Sequence, residues 1–318
     1  RSVSRGLGDV YKRQVLIMGA FMTMAVAAWY MHKKDHEKFA LRAMKIGSIV
    51  ATISCACMLV TAHSSAVVVS EEQPTKFAMM EGMYEDEVPP LYAIGWVDEA
   101  NERVIAPFAI PGGTSFLATG NWDTEYQGLN SLAETEDYSA IDPETMPVNL
   151  VFQSYHLMVA MFGLMALTLL LALIFTFKGG SIKKMRWLQW LIIISPIFAV
   201  LAIQSGWATA EFGRQPWVVY PSVTGPEGVE LLTADGISLA VSGWELIATI
   251  VLFVLIYLVL FIAWARIVVR FIKQGPTQEQ PAPVAASSNS FMSGTPPAKA
   301  ADASPNDETA PAATKEGE

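Results

Sequence analysis

The sequence predicts an all-α fold: a polytopic membrane helix bundle with five transmembrane helices and one external loop domain. Three observations carry that prediction. The 318 residues are 52% apolar and only 16% charged, where a soluble domain usually carries about 25% charged residues. Five stretches fit or nearly fit the roughly 20 apolar residues that cross a bilayer. The loops between those stretches alternate strictly between basic and acidic, the pattern expected when basic loops stay on the cytoplasmic side.

The first span, 15–31, is short and abuts the basic run Arg1, Arg5, Lys12 and Arg13. Alternation would put those four cations outside, on the wrong side. Residues 1–14 therefore read as a foreign, adapter-like segment and are set aside from fold reasoning. With no initiating Met and no secretory leader, the chain reads as a fragment. The second span is 46–66. Between it and the first lie Lys33, Lys34, Lys38, Arg42 and Lys45, which place this loop inside. Segment 63–149 holds only Lys76 and Arg103 against sixteen Asp and Glu, which places it outside. Its strand-like and turn-like patches (ERVIAPFAI, PGGTS) suggest a small ordered lid rather than a linker.

The third and fourth spans, 150–177 and 187–209, flank an inner loop with Lys178, Lys183, Lys184 and Arg186. Segment 210–245 has Arg214 as its only cation and is external. The fifth span, 246–265, has no charge in its 20 residues, and Arg266, Arg270 and Lys273 follow it on the inner side. The tail 277–318 is rich in Pro, Ala, Ser, Thr and Glu and is expected to be disordered. These features divide the chain into 1–14, 15–66 with two spans, the external loop 67–149, 150–276 with three spans, and the tail.

Composition also excludes functions. A net charge of −9 argues against a general nucleic-acid binder, which needs a basic face. Two cysteines build neither a disulfide scaffold nor a four-thiolate zinc site. Cys55 and Cys57 lie about 200° apart around a helix, so they do not pair. His32 and His36 stand at i, i+4 but lack an acidic or thiol partner, so they read as ordinary surface residues.

The most informative run is 204–217, QSGWATAEFGRQPW, at the outer end of the fourth span. If helix continues through it, Trp207, Glu211 and Arg214 recur at i, i+4 and i+7 and share a face. A carboxylate at the membrane edge is costly unless it is paired or bound to a cation. Arg214 can pair with it. An interfacial ion pair, a haem-iron ligand and a transporter site all remain open on spacing alone.

The run GWATAEFGRQPW resembles the GWxxxExGRQPW signature of cytochrome bd quinol oxidase, subunit I. Four further blocks agree in order: AAWYM at 27–31, QPTKFAMMEGMYE at 73–85, FQSYHLMVAMFG at 152–163 and FIKQGP at 271–276. The resemblance covers about residues 15–276 and is to the short-loop branch of the family. It implies that Met158 ligates a low-spin haem b and that Glu211 ligates a high-spin haem b, with Trp207 and Arg214 beside it. It implies that Lys76 and Glu81 act at the quinol site. Without it, Met158 reads as packing and Lys76 and Glu81 as solvated charges. His156 stands where many members carry Arg, so it is expected to anchor a haem. The family's histidine opposite Met158 would fall near Val10, inside the segment set aside.

The expected function follows from the resemblance: the haem-bearing subunit of a quinol:oxygen oxidoreductase in a bacterial cytoplasmic membrane. Its cofactors would be two haems b and haem d. Its partners would be a second membrane subunit, possible small accessory subunits, quinol and oxygen. The fragment alone is expected to be inactive. A transporter or sensor that uses the Glu211–Arg214 pair is the alternative.

Overall fold

A computed structural model of the chain describes residues 2–221, 229–238 and 240–276. Its elements run α1 (Ser2–Lys33), α2 (Glu37–Glu72), α3 (Pro74–Glu81), β1 (Leu91–Asp98), β2 (Arg103–Ile110), α4 (Gly113–Thr119), α5 (Leu129–Ala133), α6 (Val148–Phe177), α7 (Arg186–Phe212), β3 (Trp217–Val219), β4 (Leu231–Leu232) and α8 (Gly243–Gln274). Five helices are long and apolar enough to cross a membrane, namely α2, α6, α7, α8 and the Arg13–Lys33 part of α1. α1 runs unbroken from Ser2, so residues 2–14 continue the helix of the first span and form no separate arm. The tail 277–318 lies outside the described residues.

Helices α1, α2, α6 and α7 close a ring of contacts, α1 on α2, α2 on α6, α6 on α7 and α7 on α1. The sequence of α2 shows why it can pack closely. Its buried positions Ala40, Met44, Gly47, Ser48, Ala51, Ser54 and Cys55 recur every three or four residues and are mostly small. A Cβ on Gly47 would stand 2.9 Å from the Met24 side chain of α1, so only glycine permits this approach. The bundle core is filled by Phe21, Met24, Met44, Met165, Leu188 and Ile192. Cys55 is buried and Cys57 exposed, as their angular separation requires.

Pro196 sits inside α7 and cannot donate to the carbonyl four residues back. The Ser195 hydroxyl instead donates to that Ile192 carbonyl at 2.7 Å, so the helix continues with the acceptor satisfied. At the other end of the bundle, Arg186 Nη2 donates to His32 Nε2 at 3.0 Å. The His32 hydrogen therefore rides on Nδ1, which faces Gln189 Oε1 at 3.2 Å. Both ring nitrogens of His32 are thus engaged by α7, and His36 faces Asp35 at 3.4 Å.

α8 differs from the other four. No residue of it is buried, although its sequence is the most apolar. The Tyr30 hydroxyl donates to the Ile272 carbonyl at 2.5 Å and ties down its C-terminal end.

The segment between α2 and α6 is an ordered layer with its own core, in which Phe77, Met79, Met83, Leu129, Leu132, Phe152 and Trp217 are buried. Strands β1 and β2 form an antiparallel hairpin closed by the Asp98–Arg103 pair. The start of α6 clasps that hairpin: Gln153 Nε2 donates to the Gly95 carbonyl at 2.8 Å, and the Val97 amide donates to Asn149 Oδ1 at 3.1 Å. The expected all-α fold is thus a helical bundle carrying two small two-stranded sheets.

Candidate functional site

The candidate residues fall on three elements. α3 is a self-punctuated helix: Pro74 stands in its first turn and Gly82, at φ 73°, terminates it in the left-handed region. Every residue from Thr75 to Glu81 is buried, so its two charged side chains lie within the fold and not in solvent. Five residues apart, Lys76 and Glu81 leave α3 in different directions.

Lys76 turns toward the C-terminal end of α7. Its ammonium donates to Gln73 Oε1, and its aliphatic stem lies over Gly213, where a Cβ would come within 2.8 Å of Lys76 Cγ. Burial pushes the Lys76 amine down to about 8, the Arg214 guanidinium adds to that, and Glu211 opposes it. Helix α7 ends at Phe212, so Arg214 lies in the following turn and not on a continued helical face. Glu211 and Arg214 still form an ion pair at i, i+3, with both side chains partly exposed. Trp207 is 64% exposed on α7. Thr75 and the Tyr220 hydroxyl, 2.7 Å apart, hold the first turn of α3 against the segment after β3.

Glu81 enters a different pocket. It is 2% exposed, and the Thr114 hydroxyl lies 3.1 Å from its Oε2. Burial pushes this carboxyl up to about 8, with the Thr114 hydrogen bond opposing and Glu87 adding to the rise. The structure therefore brings Lys76, Glu211 and Arg214 together and leaves Glu81 apart from them.

Met158 lies on the wall of a half-open apolar cavity of about 270 Å³ lined by all four helices of the ring. α6 contributes Met158 and Phe162, α7 contributes Ala199 and Ala202, α2 contributes Met58, and α1 contributes Ile17. Among the described residues, Gln14 is its one polar wall residue. The Met158 sulfur rests on Gly206, where a Cβ would stand 2.7 Å away. His156 lines another surface: its Nδ1 faces the Phe152 carbonyl at 2.8 Å, and its ring stacks on Phe152.

Apolar walls and a thioether on one side suit a porphyrin face with methionine ligation. These walls supply one axial donor from this chain, Met158. Sequence reasoning missed Thr114, Gly206 and Gly213. The glycines stood inside a motif already read, but their partners lie 48 and 137 residues away in the chain, and nothing local marks such contacts.

A membrane helix bundle with a sulfur-walled apolar cavity, and a carboxylate–guanidinium pair at the C-terminal end of α7, defines a class of cofactor-holding membrane proteins. The family model for cytochrome bd terminal oxidase subunit I matches residues 14–276. The chain belongs to that family. It is 26% identical to cytochrome bd-II ubiquinol oxidase subunit 1 of Escherichia coli (strain K12), covering 83% of this chain and 61% of that one. It is 27% identical to cytochrome bd ubiquinol oxidase subunit 1 of Bacillus subtilis (strain 168), covering 87% and 58%. The bd oxidase structure from Geobacillus thermodenitrificans matches with a TM-score of 0.67 at 25% identity, over 83% of this chain and 56% of that one. The chain thus spans about three fifths of the curated relatives it matches. These matches lend no support to a transporter or sensor.

Proposed function

We propose that this chain is part of the haem-bearing subunit of a membrane quinol:oxygen oxidoreductase that oxidises quinol at the outer face and reduces oxygen to water. The observation that carries the reading is the apolar cavity with the Met158 sulfur on its wall, set below the Glu211–Arg214 pair in a chain of this family. The acidic 63–149 and 210–245 segments lie outside, and the basic loops lie in the cytoplasm.

Bound haem supplies one-electron transfer and oxygen chemistry. The protein's own part is local. Met158 offers its thioether to the low-spin haem b, and the surrounding alkyl groups exclude water. Glu211 would hold the high-spin haem b through its carboxylate, and haem d would be the third cofactor. Arg214 balances the charge of Glu211, and Trp207 would line the haem pocket beside it. His156 would anchor a propionate with both ring nitrogens carrying a hydrogen, since Nδ1 already faces the Phe152 carbonyl. Lys76 and Glu81 serve the quinol: Lys76 offers hydrogen bonds to the head group, and Glu81 accepts a proton. The complex includes a second membrane subunit.

The test is a reduced-minus-oxidised absorbance spectrum of the full-length protein in membranes. Haem b bands and a red-shifted haem d band are expected. A colourless protein without iron overturns the reading.

A further inference from the structure

We propose that Thr114 is a positioning residue for Glu81: its single hydroxyl hydrogen turns to Glu81 when the carboxylate is ionised and to the Pro90 carbonyl when Glu81 carries a proton. The inference rests on the reading of Glu81 as the group that takes a proton from quinol.

The geometry is a competition. Thr114 Oγ1 lies 3.1 Å from Glu81 Oε2 and 3.1 Å from the Pro90 carbonyl oxygen. Both side chains are buried, Thr114 at 7% exposure and Glu81 at 2%. A hydroxyl has one hydrogen to give and can accept another. With Glu81 ionised, that hydrogen goes to the carboxylate, and the Pro90 carbonyl loses it. With Glu81 protonated, its own O–H donates to Thr114 Oγ1, and the Thr114 hydrogen donates to Pro90. Every polar group in the row then has a partner. The bond to the ionised carboxylate is charge-assisted and is the strongest in either arrangement, so the hydroxyl favours the ionised form even though the Pro90 carbonyl then loses its donor.

The groups acting on Glu81 come from every side. Glu87 precedes β1, Tyr92 lies on β1 and Tyr155 on α6. The Glu87 carboxylate opposes ionisation. Thr114 is the side chain that donates a hydrogen bond to the ionised form. Its place is set by α4, whose first turn begins after Gly112, and by the Ser115 hydroxyl, which donates to the Thr124 carbonyl at 2.7 Å. The proton balance is simple. A quinol O–H bond breaks, a Glu81 O–H bond forms, and the Thr114 hydrogen swings between two acceptors without leaving its oxygen. Release of the Glu81 proton outward resets the row.

The test uses the full-length enzyme assembled with its partner subunit in membrane vesicles. Soluble short-chain ubiquinol and menaquinol analogues serve as probes. Thr114→Val is expected to move the acid limb of kcat/KM upward by about one pH unit, because the ionised carboxylate loses its donor. That is about a tenfold loss of rate at a fixed pH on that limb. Thr114→Ser keeps the wild-type midpoint. The infrared carboxyl band that disappears in Glu81→Gln is expected at higher frequency in Thr114→Val, since its O–H loses an acceptor. If the valine variant does not assemble, Thr114→Ala removes the same hydroxyl without added bulk and carries the same expectation. A hydroxyl-free variant whose pH profile and carboxyl band overlay the wild type, while Glu81→Gln is slowed, overturns the role of Thr114 alone. A Glu81→Gln enzyme with the wild-type rate and profile overturns the reading of Glu81 beneath it.

Discussion

Two side chains on α3 carry opposite pH dependences. Glu81 titrates at about 8 in the fold against 4.5 ordinarily, so between those values the folded chain holds a proton that the unfolded chain has lost. Stability therefore falls as pH rises from about 4.5 to about 8. Lys76 titrates at about 8 against 10.5, so above pH 8 the unfolded chain holds the extra proton and stability rises again. Amide exchange across 74–81, corrected for the intrinsic rate, should show the weakest protection near pH 8. Glu81→Gln should flatten the acid side, and Lys76→Met the alkaline side. At the Met158 site, Met158→Leu in the full-length protein should remove the low-spin haem band and keep the fold, since the volumes are similar. A low-spin band unchanged by this substitution would remove Met158 from the ligand set. Gly206→Val should displace the sulfur and broaden or shift the same band.

At the scale of elements, α7 offers a test of how its interior proline is tolerated. Ser195→Ala strips the Ile192 carbonyl of its donor and should cost about 1 kcal/mol. Pro196→Ala restores the backbone donor, so Ser195→Ala should cost little in that background. Additive losses in thermal unfolding would show that the hydroxyl has another role. The helix interiors were legible in the sequence because lipid-facing runs must be apolar. The helix ends were less so. α2 continues to Glu72, six residues past the expected limit, because Val67, Val68 and Val69 carry it on as apolar residues and Ser70, Glu71 and Glu72 extend it without a breaker. The reverse holds at Arg214, where spacing suggested continued helix but the turn at Phe212 supplies the Glu211 pair at shorter range. The β1–β2 hairpin showed only as strand-like patches, since its anchoring on Asn149 and Gln153 comes from a distant element. Thr114 was not legible at all, since a threonine becomes chemically distinctive only once burial leaves it between two acceptors.

For the whole molecule, the alternation of loop charge predicts sidedness. A membrane-impermeant maleimide applied to intact cells should label Glu134→Cys, exposed in the external segment, and leave Lys178→Cys unlabelled. The opposite pattern would invert the topology and place the acidic layer in the cytoplasm. α8 adds a second whole-molecule feature, an apolar helix bare on every side and tied to the bundle at its C-terminal end.

Gly213 has one more consequence. Because the Lys76 stem lies in the notch left by its missing side chain, α3 and the C-terminal end of α7 behave as meshed gears. A shift of α3 by even an ångström is carried to the neighbourhood of Glu211. Filling the notch with Gly213→Ala would decouple the two, so a perturbation introduced on one side should no longer register on the other.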